Sequence, residues 1–495
     1  MSFRQLCDRF ALSLLAFLAP TSASLGQDAP AQKKAGTIEI EKRTLESEKY
    51  GKIEHEIGTL YVPENRSDPG SRVISVGFAR YRSLNKEKTP PIFYLMGGPG
   101  WSMVEPIEGL PTELKHHGRN TPDGILSLRE FGDLVVIDQR GFTNRGDAFV
   151  ELFEAPRPRL DEPYDKRLLH YREFVQRVVD KYAKTDVDLR GYTVLELADD
   201  VADLRKALGY EKIALFGGSF GSQWSLAVMR RHPKMVKRAL LCAVAPLGKT
   251  VPLPTHTLNA AKRKWKAVEK DPRFTHLLPK GGMQEVAETW LKKLEENPTF
   301  TKPGDPTFVV RTLGPMDFPS PFSHNELLAC YHGQTAHYSK PREPERHHEI
   351  LINRLIRASN GETEERRNLI KNDPARAMVP SYFSLFAYFE AANDIWPSPD
   401  IGDAYRKPVK CEIPVLFVQG DWDDTTPIEN TYELAKSFTN HFVQVVEQGD
   451  HGQTWFEAFA PFLKTGSFEG IQDRIQADVK LEPPTPSLEV LKKAG

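Results

Sequence analysis

The chain has 495 residues, of which 40% are hydrophobic and 27% charged, with a formal net charge of -1. That length is ample for a sizeable core and suggests a core domain with a large insertion, or two domains. A balance so near neutral gives no reason to expect nucleic acid or an anionic membrane as the main partner.

In chain order the first feature is an address. Arg4 and Arg9 precede the apolar run from Phe10 to Pro20, and Thr21-Ser22-Ala23-Ser24 follow, which is the charged, apolar, small-residue order of a secretory signal peptide. The run is shorter than the ~20 residues that cross a bilayer, so stable membrane insertion is not expected. Residues 1–26 are therefore read as a cleaved signal peptide, the protein as exported to a periplasm or the medium, and residues 27–36 as a leader. Loss of Cys7 leaves Cys242, Cys330 and Cys411, too few for a disulfide framework and without metal or redox spacing.

Residues 55–62 and 72–82 read as an antiparallel hairpin around a turn-rich connection. Pro91 to Met96 and Leu134 to Ile137 are nearly continuous in apolar residues, as in a parallel sheet covered on both faces. The first runs into Gly97-Gly98-Pro99-Gly100 and the second into Asp138-Gln139-Arg140-Gly141. Leu197, Val201, Leu204 and Leu208 then recur at helical spacing between Thr193, a cap, and Gly209, a stop. A strand ending near Gly217, a helix from about 222 to 231 and a strand over 239–244 follow. This alternation predicts an α/β fold with a mainly parallel sheet flanked by helices.

From residue 246 to 404 strand signals fade, and helices are expected over 258–269, 283–296 and 345–358, with Pro-rich connectors at 298–306 and 315–321. We read this span as a helical cap inserted between two parts of the core, 37–245 and 405–479, the second part carrying strands at 413–418 and 441–447. Residues 480–495 read as an exposed tail. The basic run Lys262 to Lys266 is a solvated helix face rather than a nucleic-acid patch at this net charge. His332, His337, His347 and His348 fall into no metal-ligand pattern, so neither metal nor cofactor is expected.

The chemistry concentrates at Gly217-x-Ser219-x-Gly221, where a strand stops and a helix starts. A serine on such a turn is held exposed above the sheet edge, and the flanking glycines avoid a clash that a Cβ would make. A hydroxyl is a weak nucleophile until a base takes its proton, and the base works best when a carboxylate fixes its tautomer. Asp423 and His451 follow Ser219 in that order, each just after a strand, with Asp424 the alternative acid. Backbone N–H groups after the nucleophile, at Phe220, and in the Gly97–Gly100 loop are placed to receive the oxyanion of a tetrahedral intermediate.

The strings YLMGGPGWS, VVIDQRG, YTVLELADDVADLRKALG, ALFGGSFGSQWSLAVMRRHP, GDWDDTTP and GDHG together resemble the prolyl aminopeptidase and tripeptidyl aminopeptidase family of α/β-hydrolases, over most of residues 55–245 and 405–455. The resemblance implies an α/β-hydrolase fold and a serine exopeptidase that takes short peptides by their free N-termini under a helical cap. It assigns the nucleophile to Ser219, the acid to Asp423, the base to His451 and the oxyanion donors to Gly98 and Phe220. After D-Q-R-G the chain departs from the family's small residue and glycine with Phe142-Thr143-Asn144-Arg145. A substrate ammonium needs a carboxylate, for which Glu390 and Glu326 are the candidates, the plainer reading of each being an ordinary helix acid. A carboxylesterase with the same site, and a silent exported binding protein with the same fold, are the alternatives. Oligomeric state is not legible.

Overall fold

The apolar runs of the sequence fold as the middle of one sheet. A computed structural model describes residues 33–87, 89–100, 102, 104, 122–141, 145–147, 149, 164–296, 324–333, 347–451, 460–477 and 481–489. The expected signal peptide, the Pro-rich connectors and Phe142 to Asn144 lie outside these residues.

The strands are β1 (Ile38–Ser47), β2 (Gly51–Pro63), β3 (Val73–Tyr81), β4 (Ile92–Leu95), β5 (Leu134–Ile137), β6 (Ile213–Gly218), β7 (Val236–Cys242), β8 (Val415–Gly420), β9 (His441–Glu447) and β10 (Arg474–Gln476). They lie in the order β1-β2-β3-β5-β4-β6-β7-β8-β9-β10. Pairing is antiparallel from β1 through β3 to β5 and parallel from β5 across to β10. Every residue of β4, β5 and β8 is buried, because helices cover both faces there and an apolar residue is accepted at either parity. The result is an α/β-hydrolase fold, with the expected hairpin as β2 and β3.

β1 was not legible. Glu39, Glu41, Lys42, Arg43 and Glu46 leave it charged and mostly exposed, and it is a strand because it pairs along β2 from Ile38 opposite Leu60 to Ser47 opposite Gly51. Strand state here comes from the partner rather than from side-chain preference, and the charges keep the edge from templating further strands.

Among the described residues, the helices of eight or more residues are α1 (Tyr164–Tyr182), α2 (Val194–Ala207), α3 (Phe220–Arg231), α4 (Pro254–Lys270), α5 (Gly282–Glu296), α6 (His324–Tyr331), α7 (His347–Asn360), α8 (Glu364–Asn372), α9 (Pro380–Ala392) and α10 (Ile428–Ala435). Thr193 caps α2, its Oγ1 accepting from Glu196 N at 3.2 Å, one of the orphan donors of a helix start. α4 to α9 stand between β7 and β8. Within them Trp265, Phe274, Met283, Trp290 and Leu327 form their own buried cluster, whereas Leu351, Ile352, Leu355 and Ile356 of α7 join the cluster that holds Leu197 and Trp224. The C-terminal stretch is not the exposed tail expected: Leu481 and Leu488 are buried in the Trp265 cluster. Apolar burial outweighs what the prolines and charges of that stretch suggested.

A buried ionic network joins the hairpin side to α2. Arg140, with no exposed surface, donates to both carboxylate oxygens of Asp200 at 2.6 and 2.8 Å and to the carbonyls of Glu64 and Gly191 at 2.5 and 2.8 Å. Arg66 reaches Asp200, Glu196 and Asp203 from the other side. Removing one partner of such a network leaves charges and carbonyls desolvated without compensation. Arg140→Met is expected to lower unfolding free energy by about 3–5 kcal/mol, read as a lower urea midpoint at unchanged slope. Arg190→Met, at an exposed pair with Asp188, should cost under ~1 kcal/mol.

Candidate active site

β6 enters α3 through a turn with no room on its inner side. A Cβ on Gly217 would lie 2.2 Å from the Gly221 carbonyl oxygen, and one on Gly221 would lie 1.9 Å from the Leu95 carbonyl oxygen of β4. Both positions must be glycine for the backbones to approach so closely. Ser219 between them takes φ 55° and ψ -127°, a costly conformation for a residue with a Cβ. Three hydrogen bonds hold it: Ser219 N to Cys242 O at 3.0 Å, Ser222 N to Ser219 O at 2.9 Å, and Ser222 Oγ to Ser219 O at 2.6 Å.

The structure brings Ser219, His451 and Asp423 together. Ser219 Oγ lies 2.9 Å from His451 Nε2, and His451 Nδ1 lies 3.1 and 3.0 Å from Asp423 Oδ1 and Oδ2. Asp424, next along the chain, has its carboxylate 3.1 Å from Thr425 Oγ1, which donates to it. Asp423 is fully buried and accepts from Thr426 N at 2.7 Å, Thr425 N at 3.0 Å, Thr426 Oγ1 at 2.7 Å and Gln419 Nε2 at 3.0 Å. Gln419 is itself fixed by Val244 N and Thr431 Oγ1. A desolvated carboxylate so fully hydrogen-bonded has one orientation to offer the imidazole.

The charges follow from this packing. Burial pushes the Asp423 carboxyl up, but the charge and hydrogen bond of His451, with the bonds from Thr426, outweigh it and hold the pKa below its ordinary value. For His451 burial opposes the proton, while the charge and hydrogen bond of Asp423, and the charges of Asp424 and Asp450, outweigh burial and raise the pKa above its ordinary value. The imidazole side chain is 32% exposed, so its Nε2 edge can meet a ligand while Nδ1 stays on the carboxylate. A hydroxyl, an imidazole and a carboxylate in this relay can transfer an acyl group.

Gly97 presses against the same serine: a Cβ there would lie 3.3 Å from Ser219 Cβ. The Gly98 N–H has no acceptor among the described residues, and Phe220 opens α3 with no side-chain cap from Ser219. Among the described residues neither backbone N–H is committed to an acceptor, for Phe220 because the start of a helix leaves its first N–H groups unpaired. Gln139 holds this loop, donating to Gly97 O at 2.9 Å and Met96 O at 3.3 Å and accepting from Gly100 N at 2.7 Å. Its role was missed in the sequence, although a glutamine two residues after a fully buried strand signals a polar group that must be hydrogen-bonded inside. Gln139→Leu is expected to cost about 1–3 kcal/mol of stability and, by loosening the loop, to lower turnover about 100-fold. Thermal melts and steady-state hydrolysis check the two halves.

The expected amine ligands are not joined to this relay by any hydrogen bond among the described residues. Glu390, on α9, pairs with Lys371 Nζ at 3.7 Å. Glu326 lies on α6, which is tied through His324 and Asn325 to the carbonyls of Glu482 and Pro483. Among the described residues no three His, Cys, Asp or Glu side chains converge to hold a metal ion.

Two family models match the chain: one described as the alpha/beta hydrolase fold over residues 132–273, and one described as TAP-like protein over residues 387–470. The proline iminopeptidase of Neisseria gonorrhoeae is 25% identical over 291 residues, covering 57% of this chain and 72% of the relative. The serine protease Hip1 of Mycobacterium tuberculosis is 27% identical over 193 residues, covering 37% of this chain and 35% of the relative. With the sheet order, the serine turn and these matches in agreement, the chain belongs to the α/β hydrolases and is similar to proline iminopeptidase and to the TAP-like proteins.

Proposed function

We propose that this chain is an exported serine aminopeptidase, similar to proline iminopeptidase and tripeptidyl aminopeptidase, that removes N-terminal residues from short peptides through an acyl-enzyme. The observation that carries the reading is the 2.9 Å contact of Ser219 Oγ with His451 Nε2, backed by the buried Asp423 carboxylate. The similarity to proline iminopeptidase supports a peptide as the acyl donor.

In this mechanism Ser219 Oγ attacks the scissile carbonyl as His451 Nε2 takes its proton. Asp423 keeps the Nδ1 proton in place and stabilises the imidazolium. The oxyanion is received by the N–H groups of Gly98 and Phe220. His451 then gives the proton to the leaving amine, the C–N bond breaks, and a water activated by the same imidazole releases the acyl product and restores Ser219. The helices of residues 246–404 form the cap that limits access, and residues 1–26 direct export. Glu390 and Glu326 are the carboxylates offered to the substrate ammonium. The Lys371 partner of Glu390 is half exposed, so that pair is weak enough for a substrate amine to replace it.

The test is hydrolysis of prolyl, alanyl and tripeptidyl anilides, each with a free and an acetylated amine, beside a short-chain nitrophenyl ester. Cleavage confined to free-amine anilides and lost in Ser219→Ala supports the proposal, and the product length gives the number of residues removed. Ester cleavage without anilide turnover would replace the peptidase with an esterase.

Two further outcomes follow from the electrostatics. Because His451 must be neutral to act as base and its pKa is raised, kcat/KM is expected to be full at alkaline pH and to fall on acidification with a midpoint above ~6.5. A pH profile flat from 8 to 5 would contradict this. Asp423→Asn is expected to lower kcat by about 10⁴-fold, because the imidazole loses its tautomer, with KM changed far less.

A further inference from the structure

α7 is tied to the Gly97–Gly100 loop and to α3. Asn353 Nδ2 donates to Pro99 O at 3.2 Å, holding the loop that abuts Ser219, and Asn360 Nδ2 donates to Gln223 Oε1 of α3 at 2.8 Å. The same helix carries one buried guanidinium group, that of Arg354, and one part-buried, that of Arg357. Arg357 donates to Asn353 Oδ1 at 2.8 Å and Thr250 O at 2.7 Å, both uncharged acceptors. Arg354, directly after Asn353, is only 7% exposed, and among the described residues its Nε and Nη1 have no hydrogen-bond partner.

Arg354 stacks over Phe389 of α9 at 4.7 Å and Tyr171 of α1 at 5.8 Å, and Arg357 lies over the same Phe389 ring at 5.3 Å. The hydroxyl of Tyr171 is also buried without a partner among the described residues. Burial, then the charge of Arg354, push the Arg357 pKa down to about 10 against the charge of Glu362. Glu362 is committed elsewhere, accepting from Thr250 N at 2.6 Å and Val251 N at 3.0 Å and lying 3.1 Å from Arg366. A buried cation with no counter-ion among the described residues is expensive, and a second, part-buried cation beside it adds to the cost. Aromatic faces offset part of that, yet they satisfy neither the Nε–H nor the Nη1 donors of Arg354, each of which can donate to a carboxylate oxygen.

We propose that Arg354, with the Tyr171 hydroxyl beside it, forms an anion subsite that binds a carboxylate of the substrate peptide, either its C-terminal carboxylate or an acidic side chain. The inference rests on the peptidase reading for the identity of the ligand. It makes Arg354 a specificity residue: a short peptide is read by its acid group as well as by its acyl bond.

The test uses the full chain with Ser219→Ala, so that binding is read without turnover. Calorimetry compares trialanine with trialanine amide, and Ala-Glu-Ala amide with Ala-Gln-Ala amide. The expected result is about tenfold to 100-fold tighter binding of the acid in one of these pairs, which also says which carboxylate is read. The preference should vanish in Arg354→Gln, return in part in Arg354→Lys, and shrink in Tyr171→Phe. Equal affinity for acid and amide in both pairs, or a preference that survives Arg354→Gln, would overturn the proposal and leave Arg354 a packing residue. If Arg354→Gln fails to fold, the acid preference of the parent and its partial retention in Arg354→Lys carry the test. Turnover of neutral free-amine anilides by the Ser219 protein is scored separately, so failure of the subsite and failure of the peptidase reading give different results.

Discussion

The inner side of the turn from β6 into α3 holds backbone where other turns hold side chains. Gly221 sits so close to the Leu95 carbonyl of β4, and Gly217 so close to Gly221, that neither could carry a Cβ. This contact brings the ends of β4 and β6 together, and with them the Gly97–Gly100 loop and Ser219. From it follow the strained serine backbone, the bonds that hold it to Cys242 and Ser222, and the position of the loop donors. The functional geometry is thus a consequence of backbone packing between two neighbouring parallel strands, and the side chains are added to a frame already fixed.

The other half of the site is built by burial of charge. Asp423 gives up all contact with solvent and recovers it through donors from Thr425, Thr426 and Gln419 on the β8 side. Gln419 does for the acid what Gln139 does for the loop: each is a polar residue in the buried interior, with its amide spent on backbone or on a functional group. Arg140 does the same for the hairpin side of the sheet. The molecule therefore places its interior polar groups at strand ends, where open backbone needs partners.

Much of this was legible in the residues. Continuous apolar runs marked β4, β5 and β8 because strands buried on both faces leave no alternation to find, and small residues around Ser219 marked the turn because close backbone approach admits nothing else. The order of Ser219, Asp423 and His451 was readable, since each follows an apolar run. β1 was not, because its charged residues become a strand only against β2, and neither was the burial of Leu481 and Leu488, which depends on a surface made by distant helices. The roles of Gln139 and Arg354 also escaped. A polar residue after a buried strand says that it needs partners, but the partners are set by tertiary packing.

The central claim is that Ser219 is a nucleophile activated through His451 and Asp423. The most direct measurement is reaction of the folded protein with a fluorophosphonate, followed by peptide mass mapping. The account predicts one phosphonyl adduct, on Ser219, whose rate of formation falls sharply in His451→Ala. A folded protein that takes no label, or takes it on another residue at the same rate in both proteins, would contradict it.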